Sequence, residues 1–215
     1  MIRYLGQIGR KKDRFQEIMR RRKIGVLALS ACLLLSACSL NEADISKDTL
    51  FIGKDGKVTE ILVDIFDREY YSLEELEAMA KTEIAEYNAK AGADKVTYLS
   101  GVEDEDRKVE LKMEYVDADC FADYHNTLFF YGTVSDAYRA GMDLDYTLYG
   151  TGSKATTIGK KDILEMGDAH ILIMDQDTNV KMPSEITYVS GNVKSVSKKN
   201  AEVDYEGNPV VIICK

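Results

Sequence analysis

Asp175, Asp177 and Asn179 place three oxygen-bearing side chains at alternate positions of one short polar segment. This spacing matches the start of a calcium-binding loop, in which carboxylate and amide oxygens converge on the ion. The match ends there, because Val180 occupies the place of the required glycine and Glu185 falls one residue short of the bidentate position. We therefore expect a polar hairpin turn between the two flanking apolar strands, and no bound metal.

A nucleophile activated by histidine is not supported by the spacing of the two histidines. His125 follows Cys120 by five residues, which on a helix is about 140° of rotation, so the two side chains lie on different faces. His170 begins an apolar strand, and we expect it at the edge of a sheet. The chain contains no Gly-x-Ser-x-Gly, phosphate-loop, His-x-x-x-His or Cys-x-x-Cys motif. The sequence thus favours a non-catalytic protein with no cofactor.

Two of the four cysteines, Cys120 and Cys214, lie in the carboxy-terminal half of the chain. In an oxidising compartment an even pair of this kind can form a disulfide. Two buried free thiols are the alternative, because cysteine packs well as a small hydrophobic residue. The sequence leaves both possibilities open.

The amino-terminal segment carries a motif with a defined covalent chemistry. Arg20-Arg21-Arg22-Lys23 precedes an apolar run, and Leu35-Ser36-Ala37-Cys38 follows it. A basic stretch, an apolar run and small residues in this order are typical of a secretory signal peptide. The cysteine directly after Leu-Ser-Ala matches the lipobox of bacterial lipoproteins, in which that cysteine is diacylated and becomes the first mature residue. We predict a signal peptide over residues 1–37 and a lipid on Cys38.

Other interpretations of this segment fit less well. Ile24–Leu40 has 17 residues, fewer than the roughly 20 that an uncleaved membrane-spanning helix needs. A second lipobox ends at Cys32 but leaves an apolar run of only Ile24–Leu29. The hydrophobic pair expected after a twin-arginine motif is missing. Translation from Met19 would give a more compact signal, so residues 1–18 carry no weight in the fold.

Charge is distributed unevenly along the chain. Nine basic and two acidic residues fall in residues 1–37, which leaves 19 basic and 35 acidic residues in 38–215, a net charge of −16. Phosphate backbones and anionic lipid surfaces repel such a domain. We therefore exclude nucleic acid as a partner and expect contact with the membrane through the lipid on Cys38 alone.

The chain after Cys38 divides into a tether and a single domain. Residues 38–48 are polar without periodicity, and ten extended residues reach at most about 35 Å. The pattern of the domain, residues 49–215, predicts these elements: strands Thr49–Ile52 and Val58–Phe66, a helix Ser72–Ala91 with a Ser72/Glu75 capping box, a second hairpin around Val96–Val102 and Lys108–Tyr115, a helix Asp117–Asn126, a strand Leu128–Tyr131, a helix Thr133–Ala140, and strands His170–Met174, Val180–Met182, Ile186–Val189, Val193–Ser197, Ala201–Tyr205 and Val210–Cys214.

This order predicts an α+β fold. Hairpin, helix, hairpin and helix follow one another, a loose two-fold repeat of a ββα unit, and a strand-rich part follows. The architecture that fits is an antiparallel sheet built from hairpins with two or three helices packed on one face. Residues 142–167 are ambiguous, with Gly150, Gly152 and Gly159 indicating loops. The surface around residues 142–168 is where a pocket or an apolar patch would decide between functions.

The mature chain resembles a group of uncharacterised surface lipoproteins of Gram-positive gut bacteria. The resemblance spans most of residues 49–215, carries no known activity, and supports only an anchored location and a single domain. It rests on the lipobox together with these segments: Val63-Asp64-Ile65-Phe66-Asp67, Tyr71-Ser72-Leu73-Glu74-Glu75-Leu76, Tyr87-Asn88, Gly132-Thr133-Val134, Ile186-Thr187-Tyr188-Val189-Ser190 and Asn192-Val193.

We therefore expect a lipoprotein that is exported and anchored by lipid to the outer face of the cell membrane. Its domain would bind a small ligand or an envelope protein near the membrane without catalysis. Two alternatives remain open, a cell-envelope enzyme with a site assembled from scattered residues and a structural module of a surface assembly. A pocket with convergent carboxylates would favour the enzyme, and a broad apolar patch would favour a protein partner.

Overall fold

The computed structural model of the chain describes residues 45–152 and 156–215. The signal peptide, Cys32, Cys38 and most of the tether lie outside the described residues. Within them the elements run in this order: β1 (Thr49–Ile52), β2 (Val58–Ile65), α1 (Leu73–Ala91), β3 (Val96–Glu103), β4 (Lys108–Tyr115), α2 (Ala118–His125), β5 (Phe129–Thr133), α3 (Val134–Arg139), β6 (Leu148–Gly150), β7 (Thr157–Ile158), α4 (Lys160–Glu165), β8 (His170–Met174), β9 (Asn179–Lys181), β10 (Ile186–Val189), β11 (Val193–Ser197), β12 (Asn200–Val203) and β13 (Val210–Cys214).

The fold is mixed α+β with mostly antiparallel sheets, as the sequence predicts. The single sheet of the prediction is wrong, because the strands form two. Sheet A has the order β11-β12-β9-β1-β2-β4-β3, and sheet B has the order β5-β8-β13-β10-β6-β7. One pair, β1 with β9, is parallel. Pairings between strands so far apart in the chain leave no local pattern, so they cannot be predicted from the sequence.

Two hairpins of sheet A join strands that the sequence pattern predicts, because β1 pairs with β2 and β3 with β4, each antiparallel. In the turn between β1 and β2, Gly56 has φ +85°, a left-handed conformation that glycine adopts without strain. In β4 the buried side chains alternate with more exposed ones over all eight residues. This alternation is what an antiparallel strand with one core-facing side requires, so the local pattern alone determines its orientation.

Helix α1 forms at the predicted position but is less buried than its apolar stripe suggests. Ile84 is its one buried residue, and the helix packs against the edge strand β3. The predicted capping box is wrong, because the Ser72 side chain forms no capping hydrogen bond. A complete capping box instead begins α3, where Thr133 and Asp136 bond reciprocally. At the other end of α1, Gly92 adopts φ +68° and closes the helix.

Sheet B is buried on both faces. Along β8, Leu172 and Met174 join a core shared with sheet A, whereas Ile171 and Ile173 join a second core. That second core includes side chains of α3 and α4. The continuous apolar runs of β8 and β13 are typical of strands covered on both sides. Sheet B therefore forms the middle layer between sheet A and these two short helices.

The segment after β8 does not form the predicted hairpin. β8 belongs to sheet B, whereas β9 joins sheet A between β1 and β12. Residues 175–178 thus connect the two sheets instead of turning within one. Among the described residues, no helix is long and apolar enough to cross a membrane.

Candidate functional site

The three candidate calcium ligands lie in or next to the segment that connects sheet B to sheet A, and each side chain forms a hydrogen bond with another part of the chain. Asp175 Oδ1 accepts hydrogen bonds from the Thr127 hydroxyl and the Leu128 N–H. Asp177 Oδ1 accepts one from Lys47 Nζ at 2.8 Å. The Asn179 side-chain oxygen accepts from a backbone N–H of β12 at 3.3 Å. Within residues 45–152 and 156–215 no three His, Cys, Asp or Glu side chains are grouped as a metal site requires.

Cys120 and Cys214 are buried free thiols in the structure. Of the two possibilities that the sequence leaves open, the structure therefore contains the free thiols and not the disulfide. Cys120 donates to the Lys95 carbonyl oxygen at 3.4 Å. Cys214 accepts from the Ser184 hydroxyl at 3.7 Å. Burial raises the pKa of both thiols, and a thiol held in its neutral form is a poor nucleophile.

The most enclosed polar cluster joins Glu60 of β2, Tyr115 of β4 and His125 at the end of α2. The Tyr115 hydroxyl donates to Glu60 Oε2 at 2.7 Å. His125 Nε2 lies 2.9 Å from that hydroxyl and 3.1 Å from the same carboxylate oxygen. The Glu60 and His125 side chains are only 6% and 5% exposed. Side chains this deeply buried offer a solute little surface, and their mutual hydrogen bonds satisfy buried polar atoms.

An open cavity of about 440 Å³ lies at the end of sheet B nearest the β1–β2 turn. Its volume falls within the range of small-molecule sites. We call it the basic cavity, and it is lined by these residues: Lys54, Tyr131, His170, Pro183, Ser184, Glu185, Lys199 and Lys215.

Backbone hydrogen bonds hold the loop that forms one wall of the basic cavity. Met182 N–H donates to the Lys199 carbonyl oxygen at 2.8 Å, and Lys215 N–H donates to the Glu185 carbonyl oxygen at 3.0 Å. Lys199 Nζ in turn donates to the Pro183 carbonyl oxygen at 2.6 Å. The loop is therefore fixed from both flanking segments, and the Lys199 ammonium is positioned over it.

Two rings form another wall of the basic cavity. His170 begins β8 and Tyr131 lies in the neighbouring strand β5, with ring centroids 5.5 Å apart and planes at 27°. His170 is exposed, and Tyr131 is half-buried. β8 lies between β5 and β13, so the expectation that His170 is a sheet-edge residue is wrong. Burial, and then the nearby Cys214 thiol, raise the pKa of Tyr131 to about 12, so its hydroxyl stays neutral.

The charge of the basic cavity is opposite to that of the domain. Lys54, Lys199 and Lys215 all line this one space, and Glu185 is the one acidic residue among its lining residues. None of the three lysines forms an ion pair with a carboxylate of the described residues. Some lysines outside the cavity do pair with a carboxylate, as Lys57 does with Glu114 at 2.8 Å. An excess of unpaired positive charge is a feature of anion sites.

Catalysis by the basic cavity is not favoured by its geometry. Cys214 is the residue opposite His170 in the pairing of β13 with β8, a Cys–His neighbourhood that the sequence spacing does not reveal. Cys214 is fully buried, however, and its thiol is hydrogen-bonded to Ser184. The exposed groups are ammonium groups, a histidine and one carboxylate, which can bind and orient a solute.

A second depression, of about 660 Å³, lies beside the carboxy-terminal half of α1. Its one lysine, Lys81, already pairs with Glu77 at 2.9 Å and lies 4.5 Å from the centre of the Tyr98 ring. The positive charge there is thus neutralised within the chain. Neither of these two depressions is lined by residues of the segment 142–168.

Comparison with known proteins found no matching family model, no matching curated protein and no matching solved structure. The basic cavity is therefore interpreted from its own geometry.

The sequence reasoning missed every lysine of the basic cavity. Lys54 lies in the β1–β2 turn, Lys199 in the β11–β12 turn and Lys215 beyond β13. Each is an ordinary exposed lysine in its local context. Only the pairing of β13 with β8 and of β12 with β9 brings these segments to one end of the sheets.

Proposed function

We propose that this chain is an exported lipoprotein, anchored through Cys38, whose domain binds a small solute in the basic cavity without catalysing a reaction. The observation that carries the proposal is the convergence of three unpaired lysines and a His170–Tyr131 stack on one open space. Residues from six separate segments line that space, so its formation depends on the whole fold.

The proposed location depends on the amino-terminal sequence. The lipobox Leu35-Ser36-Ala37-Cys38 follows a basic stretch and an apolar run, and two acyl chains on one cysteine hold a protein stably on a membrane. The tether up to residue 48 reaches about 35 Å at most. The resemblance to surface lipoproteins of Gram-positive gut bacteria agrees with such an anchor. The solutes available to the domain are then those at the outer face of the membrane.

Binding without catalysis is supported by the groups that line the basic cavity. The thiol near it, that of Cys214, is fully buried, and burial raises its pKa. The wall loop is held by hydrogen bonds to both sides. A wall loop that is already held in place needs little further ordering when a solute binds, which favours affinity.

Anchoring is tested by growing cells with a labelled fatty acid and expressing the full chain. We expect label on the protein and membrane retention, both lost in Cys38→Ala and kept in Cys32→Ala. Label on Cys32 instead, or an unlabelled protein in the membrane fraction, would refute the proposed anchor.

Solute binding is tested separately by thermal unfolding of the full chain against inorganic phosphate, pyrophosphate, citrate and glucose. A solute that binds the native state raises the melting temperature in a concentration-dependent way. We expect such a rise for at least one solute, and its reduction in His170→Ala. If His170→Ala responds to every solute as the unchanged protein does, the basic cavity is not the binding site.

A further inference from the structure

We infer that the solute of the basic cavity is a small free anion with at least two negative charges, of the phosphate or polycarboxylate class. This inference depends on the proposed function, because it names the ligand class of the same cavity. It rests on how many charged side chains line the basic cavity, whether they form ion pairs, and how they are positioned.

The cavity presents more positive charge than a singly charged ligand would use. Lys54, Lys199 and Lys215 contribute three ammonium groups, and the exposed Glu185 offsets one of them. No other carboxylate side chain lines the space. The lining side chains therefore have a net charge of +2, which an anion with two charges balances. Lysine binds phosphate or carboxylate as a point charge, without the fixed two-pronged geometry of arginine, so both anion types fit.

One ammonium group is fixed before any ligand arrives. The bond from Lys199 Nζ to the Pro183 carbonyl oxygen, 2.6 Å long, uses one of its three N–H donors. The other two donors remain for a ligand. Holding a flexible lysine in place beforehand reduces the entropy that binding removes. Ser184 lies beside this lysine on the same loop, and its hydroxyl is oriented by the bond to Cys214.

The surrounding charge selects a small anion over a large one. The net charge of residues 38–215 is −16, which repels a polyanion or an anionic membrane that meets the whole surface. Charges further apart than about 8 Å are largely screened at physiological salt. An ion inside the cavity is therefore governed by the nearby lysines. This favours a free solute over the headgroup of an anionic lipid.

The test measures binding of pyrophosphate, inorganic phosphate and citrate to the full chain by calorimetry. Phosphatidylglycerol vesicles and glucose serve as the lipid and neutral probes. The variants are Lys199→Gln and Lys54→Gln, and the matched control is Lys90→Gln, an exposed lysine of α1 far along the sequence from the cavity segments. Circular dichroism and thermal unfolding without ligand establish that each variant is folded.

We expect pyrophosphate to bind more tightly than phosphate, because it carries more charge. Each cavity variant should weaken binding by about tenfold, the effect of losing one charge-assisted hydrogen bond. Lys90→Gln should stay within about twofold of the unchanged protein.

Four results would overturn the inference. Equal weakening by Lys90→Gln and Lys199→Gln would show general charge attraction and no site. Failure of phosphate, pyrophosphate and citrate alike to bind would reject this anion class. Binding of phosphatidylglycerol vesicles that Lys199→Gln weakens, with no binding of either phosphate probe, would assign the cavity to a lipid headgroup. Glucose binding that is lost in His170→Ala, with no anion binding, would reject the ligand class and leave the proposed function in place.

Discussion

The Tyr115 hydroxyl donates a 2.7 Å hydrogen bond to Glu60 Oε2 across the core-facing side of sheet A. These two residues lie on neighbouring antiparallel strands, β4 and β2, and His125 at the end of α2 contacts both. A carboxylate this deeply buried is tolerated only when its hydrogen bonds are satisfied. The pair therefore links the second hairpin and α2 to the first hairpin.

Replacing Tyr115 by phenylalanine removes the hydroxyl while keeping the ring contacts with Phe121 and Tyr124. We expect Tyr115→Phe to reduce the free energy of unfolding by about 1–3 kcal/mol, because Glu60 loses a donor in a buried site. Urea denaturation measures the change. Tyr124→Phe is the control, since the Tyr124 hydroxyl forms no hydrogen bond among the described residues. Equal losses in the two variants would show that the bond to Glu60 adds nothing.

Alkaline pH should destabilise the fold through its tyrosines. Burial, with the negative charge of Glu60, raises the pKa of Tyr115 well above 10, and burial raises that of Tyr131 to about 12. Between the unfolded and folded pKa values the unfolded chain loses protons that the native state keeps. Stability from these groups is therefore complete below about pH 10 and declines as the pH rises further.

This decline is measured by urea denaturation at about pH 8 and about pH 11. Tyr115→Phe, which has no hydroxyl to titrate at this position, should show a smaller drop between the two. Ultraviolet absorbance should also show tyrosinate forming at higher pH in the native protein than in urea. Coincident titrations of the two states would contradict the raised pKa values.

Both internal thiols should resist alkylation in the native protein. Cys120 and Cys214 are buried, and burial raises the pKa of each thiol, so little thiolate is available to react. We expect iodoacetamide to label them at least about a hundredfold more slowly in the native state than in urea. Peptide mass spectrometry reads each cysteine separately. If neither becomes labelled in urea without a reductant, the two cysteines form a disulfide after all.

In sheet A, the sequence predicts those elements whose form depends on a local residue pattern. β4 alternates because one of its faces is buried, and the β1–β2 turn needs Gly56 for its positive φ. The prediction of a capping box at the start of α1 was wrong because a Ser-x-x-Glu pattern permits a capping box without requiring one. At Ser72 the backbone carbonyl accepts from the Leu76 N–H, and the side chain takes no part in capping.

The second sheet and the basic cavity could not be predicted in the same way. A run such as His170-Ile171-Leu172-Ile173-Met174 shows no alternation, because both of its faces are covered. The partner of such a strand depends on packing across the whole domain. Lys54 and Lys199 belong to turns of two different hairpins, and no spacing rule connects them. Sites assembled from turns in this manner leave no motif in one sequence.

The two-sided burial of β8 gives a direct test of the layered arrangement. Leu172 packs in the core shared with sheet A, and Ile173 packs in the core with α3 and α4; both are at most 1% exposed. Adjacent residues of a strand point to opposite faces. A strand with one wet face would tolerate one of the two truncations, whereas a strand covered on both sides tolerates neither.

We therefore expect Leu172→Ala and Ile173→Ala each to lower the free energy of unfolding by about 2–5 kcal/mol, because each leaves a cavity in a closely packed core. Leu164→Ala on α4 is the control, since Leu164 is 37% exposed and should lose less than about 1 kcal/mol. Urea denaturation of the three variants measures the differences. A small loss for Ile173→Ala beside a large one for Leu172→Ala would mean that α3 and α4 do not cover sheet B, and the three-layer arrangement would be wrong.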